Sequence, residues 1–136
     1  ASGDTMKTAH ELIEEARKRI TEVHVTDLKQ VMENNTIILI DVREPDEFKA
    51  GAIADALNYP RGVLEMKIHQ HPSVSDHEQP LAALEHLSQQ AIYLVCGSGG
   101  RSALATDALQ SMGFQQVNSV QGGYEAWLAA GYEVVH

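Results

Sequence analysis

A chain of 136 residues with 43% hydrophobic and 21% charged residues has the size and composition of one globular domain, which excludes a disordered or fibrous protein. A formal net charge of -9 disfavours nucleic acid as a partner, because phosphate binding requires a basic surface. The single cysteine excludes an intramolecular disulfide, so Cys96 is either a buried apolar side chain or a reactive thiol.

The longest apolar run, residues 91–96, is far shorter than the roughly 18 residues that a membrane-spanning helix needs. No basic segment followed by an apolar one opens the chain, so we expect no membrane partner and a cytoplasmic location, with the periplasm as the alternative. Because Met6 lies just inside the first residue, residues 1–5 are either a remnant of cloning or part of a processed terminus.

Strands and helices alternate along the chain. The first helix is amphipathic, and its apolar face either packs on the domain or serves a partner. Helices are predicted, in chain order, at residues 8–20, 26–32, 45–50, 63–68, 80–87, 104–112 and 124–130, with a polar loop at 69–78. Strands are predicted at residues 36–40, 56–59, 91–95 and 116–120, where β-branched and other apolar residues cluster. This alternation predicts an α/β fold with a mostly parallel sheet.

The strand at 91–95 runs directly into the segment Cys96-Gly-Ser-Gly-Gly-Arg-Ser102, which then opens a helix. Ligands of parallel α/β sheets bind beyond the carboxyl ends of the strands, so this loop is the candidate site. Its three glycines let the backbone turn tightly, with amide N–H groups converging on the sulfur. These amides, the helix N-terminus and Arg101 favour a thiolate without a histidine base. The alternative is a core cysteine followed by a flexible turn.

This loop resembles the active-site loop of the rhodanese sulfurtransferases. The resemblance covers roughly residues 26–135 and extends to residues 41–48 with Gly51 and Ile53, to residues 57–60, and to residues 122–124 with Trp127. It implies a rhodanese-like fold, in which a central parallel sheet is flanked by helices on both faces. The chain would then divide into an N-terminal tail and amphipathic helix, residues 1–22, and a rhodanese-like catalytic domain, residues 23–136.

The resemblance also implies sulfur transfer. Cys96 would take sulfur as a persulfide from a small anionic donor and pass it to cyanide or a thiol, including a thiol of an acceptor protein. Arg101 is the second predicted catalytic residue, because a planar guanidinium orients a carboxylate or sulfonate well. The predicted substrate-binding residues are Gly97, Ser98, Gly99, Gly100, Ser102 and Arg61. No metal or cofactor is expected.

Several alternatives within this chemistry remain open. The opening Cys-Gly-Ser-Gly resembles 3-mercaptopyruvate enzymes, whereas the Arg-Ser ending resembles small thiosulfate enzymes, and thiosulfate is the preferred donor. Cysteine phosphatases and arsenate reductases use a similar loop with one more residue between Cys and Arg, so the shorter loop favours a single sulfur atom. A non-catalytic sulfur-relay module, loaded only by a partner protein, would have the same fold.

Other candidate sites have weaker support. The pattern G-x-x-x-x-G-K-[ST] is absent, and Ser102 stands where G-x-G-x-x-G needs its last glycine. A serine hydrolase centred on Ser98 would need a glycine where Cys96 stands. Three loop histidines lack the spacing of metal ligands and are expected to be solvated, namely His69, His71 and His77.

Charged side chains also follow two of the predicted strands. Asp41, Arg43 and Glu47 come after a buried strand and are expected to cap and pair structurally. Arg61 and Lys67 follow another strand and are expected to add positive potential at the mouth of the cysteine loop.

One segment departs from the family pattern. Where the family often shows Gly-His-Ile-Pro-Gly-Ala, residues 51–56 read Gly-Ala-Ile-Ala-Asp-Ala. Asp55 therefore replaces a glycine and is expected to adopt the left-handed backbone conformation, which Asp tolerates better than most residues.

Overall fold

The computed structural model describes residues 6–136, and its centre is one five-stranded sheet in which all paired strands are parallel. The strands are β1 (Thr21–Val23), β2 (Ile38–Asp41), β3 (Leu57–Asn58), β4 (Ile92–Val95) and β5 (Val117–Val120). Their order is β1-β5-β4-β2-β3, so β4 lies at the centre of the sheet. The predicted α/β fold with a central parallel sheet is confirmed.

Helices connect the strands. Within the described residues these are α1 (Ala9–Arg17), α2 (Val25–Asn34), α3 (Pro45–Ala50), α4 (Leu64–Lys67), α5 (Pro80–Leu87), α6 (Gly100–Met112) and α7 (Gly123–Ala129). Short 3-10 turns lie at Arg61–Val63, Ile68–Gln70 and Pro72–Val74. Across residues 6–136, no helix has both the length and the apolar composition that crossing a bilayer requires.

The core consists of two hydrophobic clusters, one on each face of the sheet. Successive residues of a strand point to opposite faces, so neighbours in β2 enter different clusters. Ile40 of β2 and Leu94 of β4 pack with α4, α5 and α6, whereas Leu39 packs with α2 and α7. Helices therefore cover both faces, as the resemblance implied.

The sequence did not predict β1. This strand has three residues, none of them fully buried, so it is too short to show an alternating pattern. It pairs with β5 at the edge of the sheet and leads into α2, which begins at Val25 rather than after Thr26. Strand β1 runs across the predicted boundary between residues 22 and 23. The division of the chain into a tail with a helix and a catalytic domain stays a prediction.

The N-terminal helix packs on the domain. Thr8 caps α1 through a reciprocal pair of hydrogen bonds with Glu11, and Ala16 of this helix is completely buried. Just beyond its end, Arg19 donates two hydrogen bonds, of 3.0 and 2.8 Å, to the carboxylate of Asp107 on α6. Helix α1 is thus held against the helix that follows the cysteine loop.

Two local predictions have different outcomes. Residues 69–78 are predicted to form a polar loop, but half of the segment winds into 3-10 turns and Val74 is completely buried in the core. The apolar side chain of Val74 draws the segment inward, while His71 accepts a hydrogen bond from the Ser73 amide at 3.1 Å. Asp55 has a φ of 70°, so its expected left-handed conformation is confirmed.

Candidate active site

Cys96 lies at the carboxyl end of the central strand, between Val95 of β4 and a three-residue loop that leads to α6. Its neighbours in the sheet are β2 and β5, whose carboxyl ends lie at the same edge. The residue is only 1% exposed and belongs to the hydrophobic cluster on the α6 face. Cys96 therefore has the burial expected of a core residue. Its polar contacts distinguish a core side chain from a reactive thiol.

The sulfur of Cys96 has two polar contacts. The amide of Gly99 donates a hydrogen bond to Sγ at 3.0 Å, and the thiol lies 3.5 Å from the Ser102 hydroxyl. The Ser102 hydroxyl also donates to the Gly99 carbonyl at 3.2 Å and shares a hydrogen bond of 2.8 Å with the Ser119 hydroxyl. Ser102 and Ser119 are both completely buried, so a small polar network lies beneath the sulfur.

The expected convergence of amides on the sulfur is found in part. Of the loop amides, that of Gly99 donates to Sγ. Five others find no acceptor within residues 6–136, namely those of Gly97, Ser98, Gly100, Arg101 and Ser102. Three of these belong to the first turn of α6, where a helix has no internal acceptors to offer. These three amides, at the positive end of the helix dipole, form a set of donors suited to a small anion.

The N-terminus of α7 holds the cysteine loop from the other side. The amide of Tyr124 donates to the Cys96 carbonyl at 2.7 Å, and that of Glu125 donates to the Gly97 carbonyl at 3.0 Å. This approach requires glycine at position 123, because a Cβ there would collide with the Cys96 carbonyl oxygen and the backbone φ is +56°. The loop is thus fixed by two helix N-termini, its own and that of α7.

Arg101 is bound to a carboxylate from another part of the chain. Its Nη1 and Nη2 atoms donate to the two oxygens of Glu47 at 2.7 and 3.1 Å, and both side chains are 40% exposed. The hydrogen bond from Arg101 is the main cause that lowers the pKa of Glu47 to about 2, and the same bond raises the pKa of Arg101. A Cβ at Gly97 would lie 3.2 Å from Nη2, so the guanidinium lies against the cysteine loop.

Arg61 lies at the same edge of the sheet. It begins the 3-10 turn after β3, and its amide donates to the Val42 carbonyl at 3.0 Å. Its guanidinium pairs with Glu65 at 2.7 Å rather than with any atom of the cysteine loop. Lys67 is exposed at the end of α4. The structure thus gives Arg61 a carboxylate partner of its own, as it does Arg101.

Asp41 and Arg43 form a buried structural pair, as expected. The guanidinium of Arg43 contacts both carboxylate oxygens of Asp41 at 2.8 to 3.1 Å, and its Nη2 also donates to the Gly51 carbonyl at 2.8 Å. It stacks on the Tyr124 ring with its central carbon 4.2 Å from the centroid. Glu47 also caps and pairs, because it accepts a hydrogen bond from the Glu44 amide at 3.0 Å and binds Arg101, which places it beside the cysteine loop.

Sequence reasoning missed three residues that shape the site. Glu47 is separated from Arg101 by 54 positions, and nothing in either segment specifies their contact. Gly123 lies in a segment that carries the resemblance, but nothing in the sequence predicts its contact with the Cys96 carbonyl. The position of Ser119 could have been recognised from the sequence. Its hydroxyl lies on the same face of β5 as the apolar Val117, and a buried hydroxyl needs a hydrogen-bond partner.

The three loop histidines, expected to be solvated, are only partly exposed. His71 caps the turn that follows it, and His77 lies against His86 with ring centroids 5.0 Å apart. Among residues 6–136, no group of three or more His, Cys, Asp or Glu side chains is placed to hold a metal ion.

Two relatives are similar over about two thirds of this chain. Thiosulfate sulfurtransferase 16 of Arabidopsis thaliana chloroplasts is 36% identical over 96 residues, which make up 68% of this chain and 74% of the relative. A mitochondrial protein of Schizosaccharomyces pombe, provisionally named a thiosulfate sulfurtransferase, is 34% identical over 96 residues, or 69% of this chain and 65% of the relative. The match spans only 24% of a longer Arabidopsis thaliana relative, the adenylyltransferase and sulfurtransferase MOCS3.

Solved structures share the whole fold. A Rhodopseudomonas palustris protein of unknown function, described as a possible tyrosine phosphatase, has a TM-score of 0.80 at 26% identity over 96% of both chains. Thiosulfate sulfurtransferase from Pseudomonas aeruginosa has a TM-score of 0.75 at 17% identity, covering 94% of this chain and 22% of that one. The named relatives support sulfur transfer as the general chemistry. Residues 24–130 match the rhodanese-like domain, and the chain therefore belongs to the rhodanese-like family.

Proposed function

We propose that this protein is a thiosulfate sulfurtransferase that carries sulfane sulfur as a persulfide on Cys96. The observation that carries the proposal is the hydrogen bond of 3.0 Å from the Gly99 amide to Sγ, at the N-terminus of α6 and at the end of the central strand. A core cysteine needs no such donor, whereas a sulfur anion is stabilised by it. The names of relatives that share this family support the same chemistry.

The first half of the cycle loads the cysteine. The Cys96 thiolate attacks the outer sulfur of thiosulfate, the sulfur–sulfur bond of the donor breaks, and its electron pair leaves with sulfite. The persulfide that remains carries its charge on the outer sulfur. The first-turn amides of α6, from Gly100 to Ser102, are the donors available to stabilise that charge, and Gly97, Ser98 and Gly99 complete the loop around it.

The second half returns the enzyme to its starting state. Cyanide or a thiolate attacks the outer sulfur of the persulfide, and the electron pair of the broken bond returns to the Cys96 sulfur. The cycle needs no metal or cofactor. The acceptor thiol is carried by a small molecule or by a sulfur-acceptor protein, and the cytoplasm, where thiols stay reduced, is the proposed compartment.

Arg101 and Arg61 receive the donor at the rim of the loop. Arg101 lies against Gly97, and the Nε edge of its guanidinium is not used by the pair with Glu47. This edge offers two parallel donors to the oxygens of a sulfonate or carboxylate. Arg61, on the neighbouring turn that packs against α6, is a second guanidinium at the rim, and its pair with Glu65 offsets its positive charge.

Intact-mass measurement tests the proposal. The protein is incubated with thiosulfate, and we expect a gain of one sulfur atom that cyanide removes with formation of thiocyanate. Cys96→Ser should show no gain, whereas Ser111→Ala, at an exposed position of α6 outside the loop, should load normally. A wild-type protein that gains no sulfur from thiosulfate would contradict the proposal.

The same experiment separates the alternatives. Loading by a persulfidated partner protein without loading by thiosulfate would indicate a sulfur-relay module. Faster loading by 3-mercaptopyruvate would make that compound the donor. Turnover of an aryl phosphate would indicate a phosphatase, the class to which the Rhodopseudomonas palustris protein was provisionally assigned.

A further inference from the structure

The cationic side chains at the rim of the cysteine loop are not free of anionic neighbours. Arg101 is held by Glu47 through two hydrogen bonds, at 2.7 and 3.1 Å, and Arg61 is held by Glu65 at 2.7 Å. Each pair has no net charge. A donor anion that approaches a guanidinium group at the rim therefore comes close to the carboxylate that is already bound to it.

Glu47 is anchored independently of Arg101. Its Oε1 atom accepts a hydrogen bond from the Glu44 amide at 3.0 Å, in the first turn of α3. Pro45 fixes the start of that helix. Because the pKa of Glu47 is about 2, its carboxylate is charged throughout the neutral range. The negative charge is therefore a fixed feature of the rim.

The geometry of the pair leaves one edge of Arg101 available. Glu47 occupies the end formed by Nη1 and Nη2, and among residues 6–136 the Nε atom of Arg101 has no acceptor. An anion on the Nε edge would share the guanidinium with Glu47, so both negative groups would lie well within one Debye length of each other. Their repulsion is proportional to the charge of the incoming anion.

We propose that Glu47 is a specificity-determining residue that discriminates among sulfur donors by their charge, disfavouring a dianion relative to a singly charged donor. This inference rests on the proposed function and refines its donor class. Thiosulfate carries two negative charges, whereas an organic thiosulfonate carries one. The repulsion energy from Glu47 is twice as large for the dianion as for the monoanion. Removing the charge of Glu47 should therefore change the binding free energy of thiosulfate by twice as much as that of the thiosulfonate.

Equilibrium binding tests this inference without depending on turnover. The dissociation constants of thiosulfate and benzenethiosulfonate are measured by calorimetry with Cys96→Ser and with Cys96→Ser/Glu47→Gln. An ionic strength of about 0.01 M keeps the Debye length at roughly 30 Å. We expect Glu47→Gln to tighten thiosulfate binding about tenfold and benzenethiosulfonate binding about threefold. Both gains should shrink as salt is added.

The choice of glutamine and a matched control variant distinguish the loss of charge from a purely structural effect. Glutamine keeps the side-chain oxygen that caps α3 through the Glu44 amide, so the helix start is preserved. Asp46→Asn is the matched control, because it removes one charge from the neighbouring, exposed residue of α3. We expect that control to change both dissociation constants by less than Glu47→Gln does and by similar factors.

The outcomes separate this inference from the proposed function. Equal changes for both anions, weaker binding, no saturable binding by either anion, or the same gain with Asp46→Asn would each overturn the role of Glu47. If the wild-type protein nevertheless loads sulfur from thiosulfate, the proposed function stands alone. If the two-to-one pattern appears but Cys96 takes no sulfur, the charge discrimination stands and the sulfur-transfer cycle is wrong.

Discussion

At the scale of single residues, the site depends on hydroxyl groups beneath the sulfur. The Ser102 hydroxyl lies 3.5 Å from the Cys96 sulfur and 2.8 Å from the Ser119 hydroxyl, and both serines are completely buried. A buried hydroxyl that loses its partner is destabilising, because water cannot replace the hydrogen bond. Ser119, which comes from a different strand, therefore fixes the position of Ser102 in the polar network.

Ser119→Ala tests that coupling. We expect the free energy of unfolding to fall by about 1 kcal/mol, since one buried hydrogen bond is lost. A double-mutant cycle with Ser102→Ala, measured by urea denaturation, should give an interaction energy of about 1 kcal/mol. Ser111→Ala, at an exposed position of α6 where Oγ bonds the Asp107 carbonyl, is the control and should change stability by less than about 0.5 kcal/mol. An interaction energy near zero would show that the two hydroxyls do not support each other.

At the scale of elements, α7 acts as a support for the cysteine loop. Its first amides bind the carbonyls of Cys96 and Gly97, and Gly123 allows the close approach. The stack of Tyr124 on Arg43, which is paired with Asp41 of β2, joins the same helix start to that strand. Three elements far apart in the chain, β2, β4 and α7, are thus locked together where the sulfur lies.

Gly123→Ala tests the support given by α7, with Gly131→Ala as its matched control. Both glycines have positive φ, +56° and +79°, so alanine should cost about 1 to 2 kcal/mol of unfolding free energy at either position. Only at position 123 does the added Cβ meet the Cys96 carbonyl, whereas nothing lies within 4 Å of it at position 131. We therefore expect Gly123→Ala to be the more destabilising change and the one that slows sulfur loading. Equal loading rates in the two variants would contradict this role of α7.

At the scale of the whole molecule, acid stability depends in part on the contact between α3 and α6. Arg101 lowers the pKa of Glu47 from 4.5 to about 2. A lowered pKa means that the ionised carboxylate stabilises the folded state above the unfolded pKa. That contribution is lost as the pH falls from about 4.5 to about 2. Because both side chains are 40% exposed, its size is limited by solvent screening.

Glu47→Gln is the test of this pH dependence. The wild-type protein should exceed the variant in unfolding free energy at neutral pH by less than about 1 kcal/mol. Most of the difference should be lost by pH 2, because the glutamate is then almost fully protonated in the unfolded state and about half protonated in the folded state. Urea denaturation at a series of pH values measures this difference, and other acid-labile pairs, such as Arg19 with Asp107, cancel between the two proteins. A difference that stays constant from neutral pH to pH 2 would contradict the assignment.

The sequence by itself determined the α/β class, most of the elements and the place of Cys96 at the end of a buried strand. These features follow from local periodicity, glycine content and helix signals, which act over a few residues. The left-handed backbone of Asp55 was predicted from the resemblance, because Asp55 stands where the family pattern has a glycine. The sequence missed β1, whose three residues are too few to show a period.

Only the tertiary structure decided which side chains meet at the site. The contacts of Arg101 with Glu47, Ser102 with Ser119 and α7 with the Cys96 carbonyl join segments separated by 17 to 54 residues. These contacts depend on the strand order β1-β5-β4-β2-β3, which brings β2 and β5 to either side of β4. Local residue patterns specify each strand but not its neighbours, because pairing is selected by the packing of the complete core.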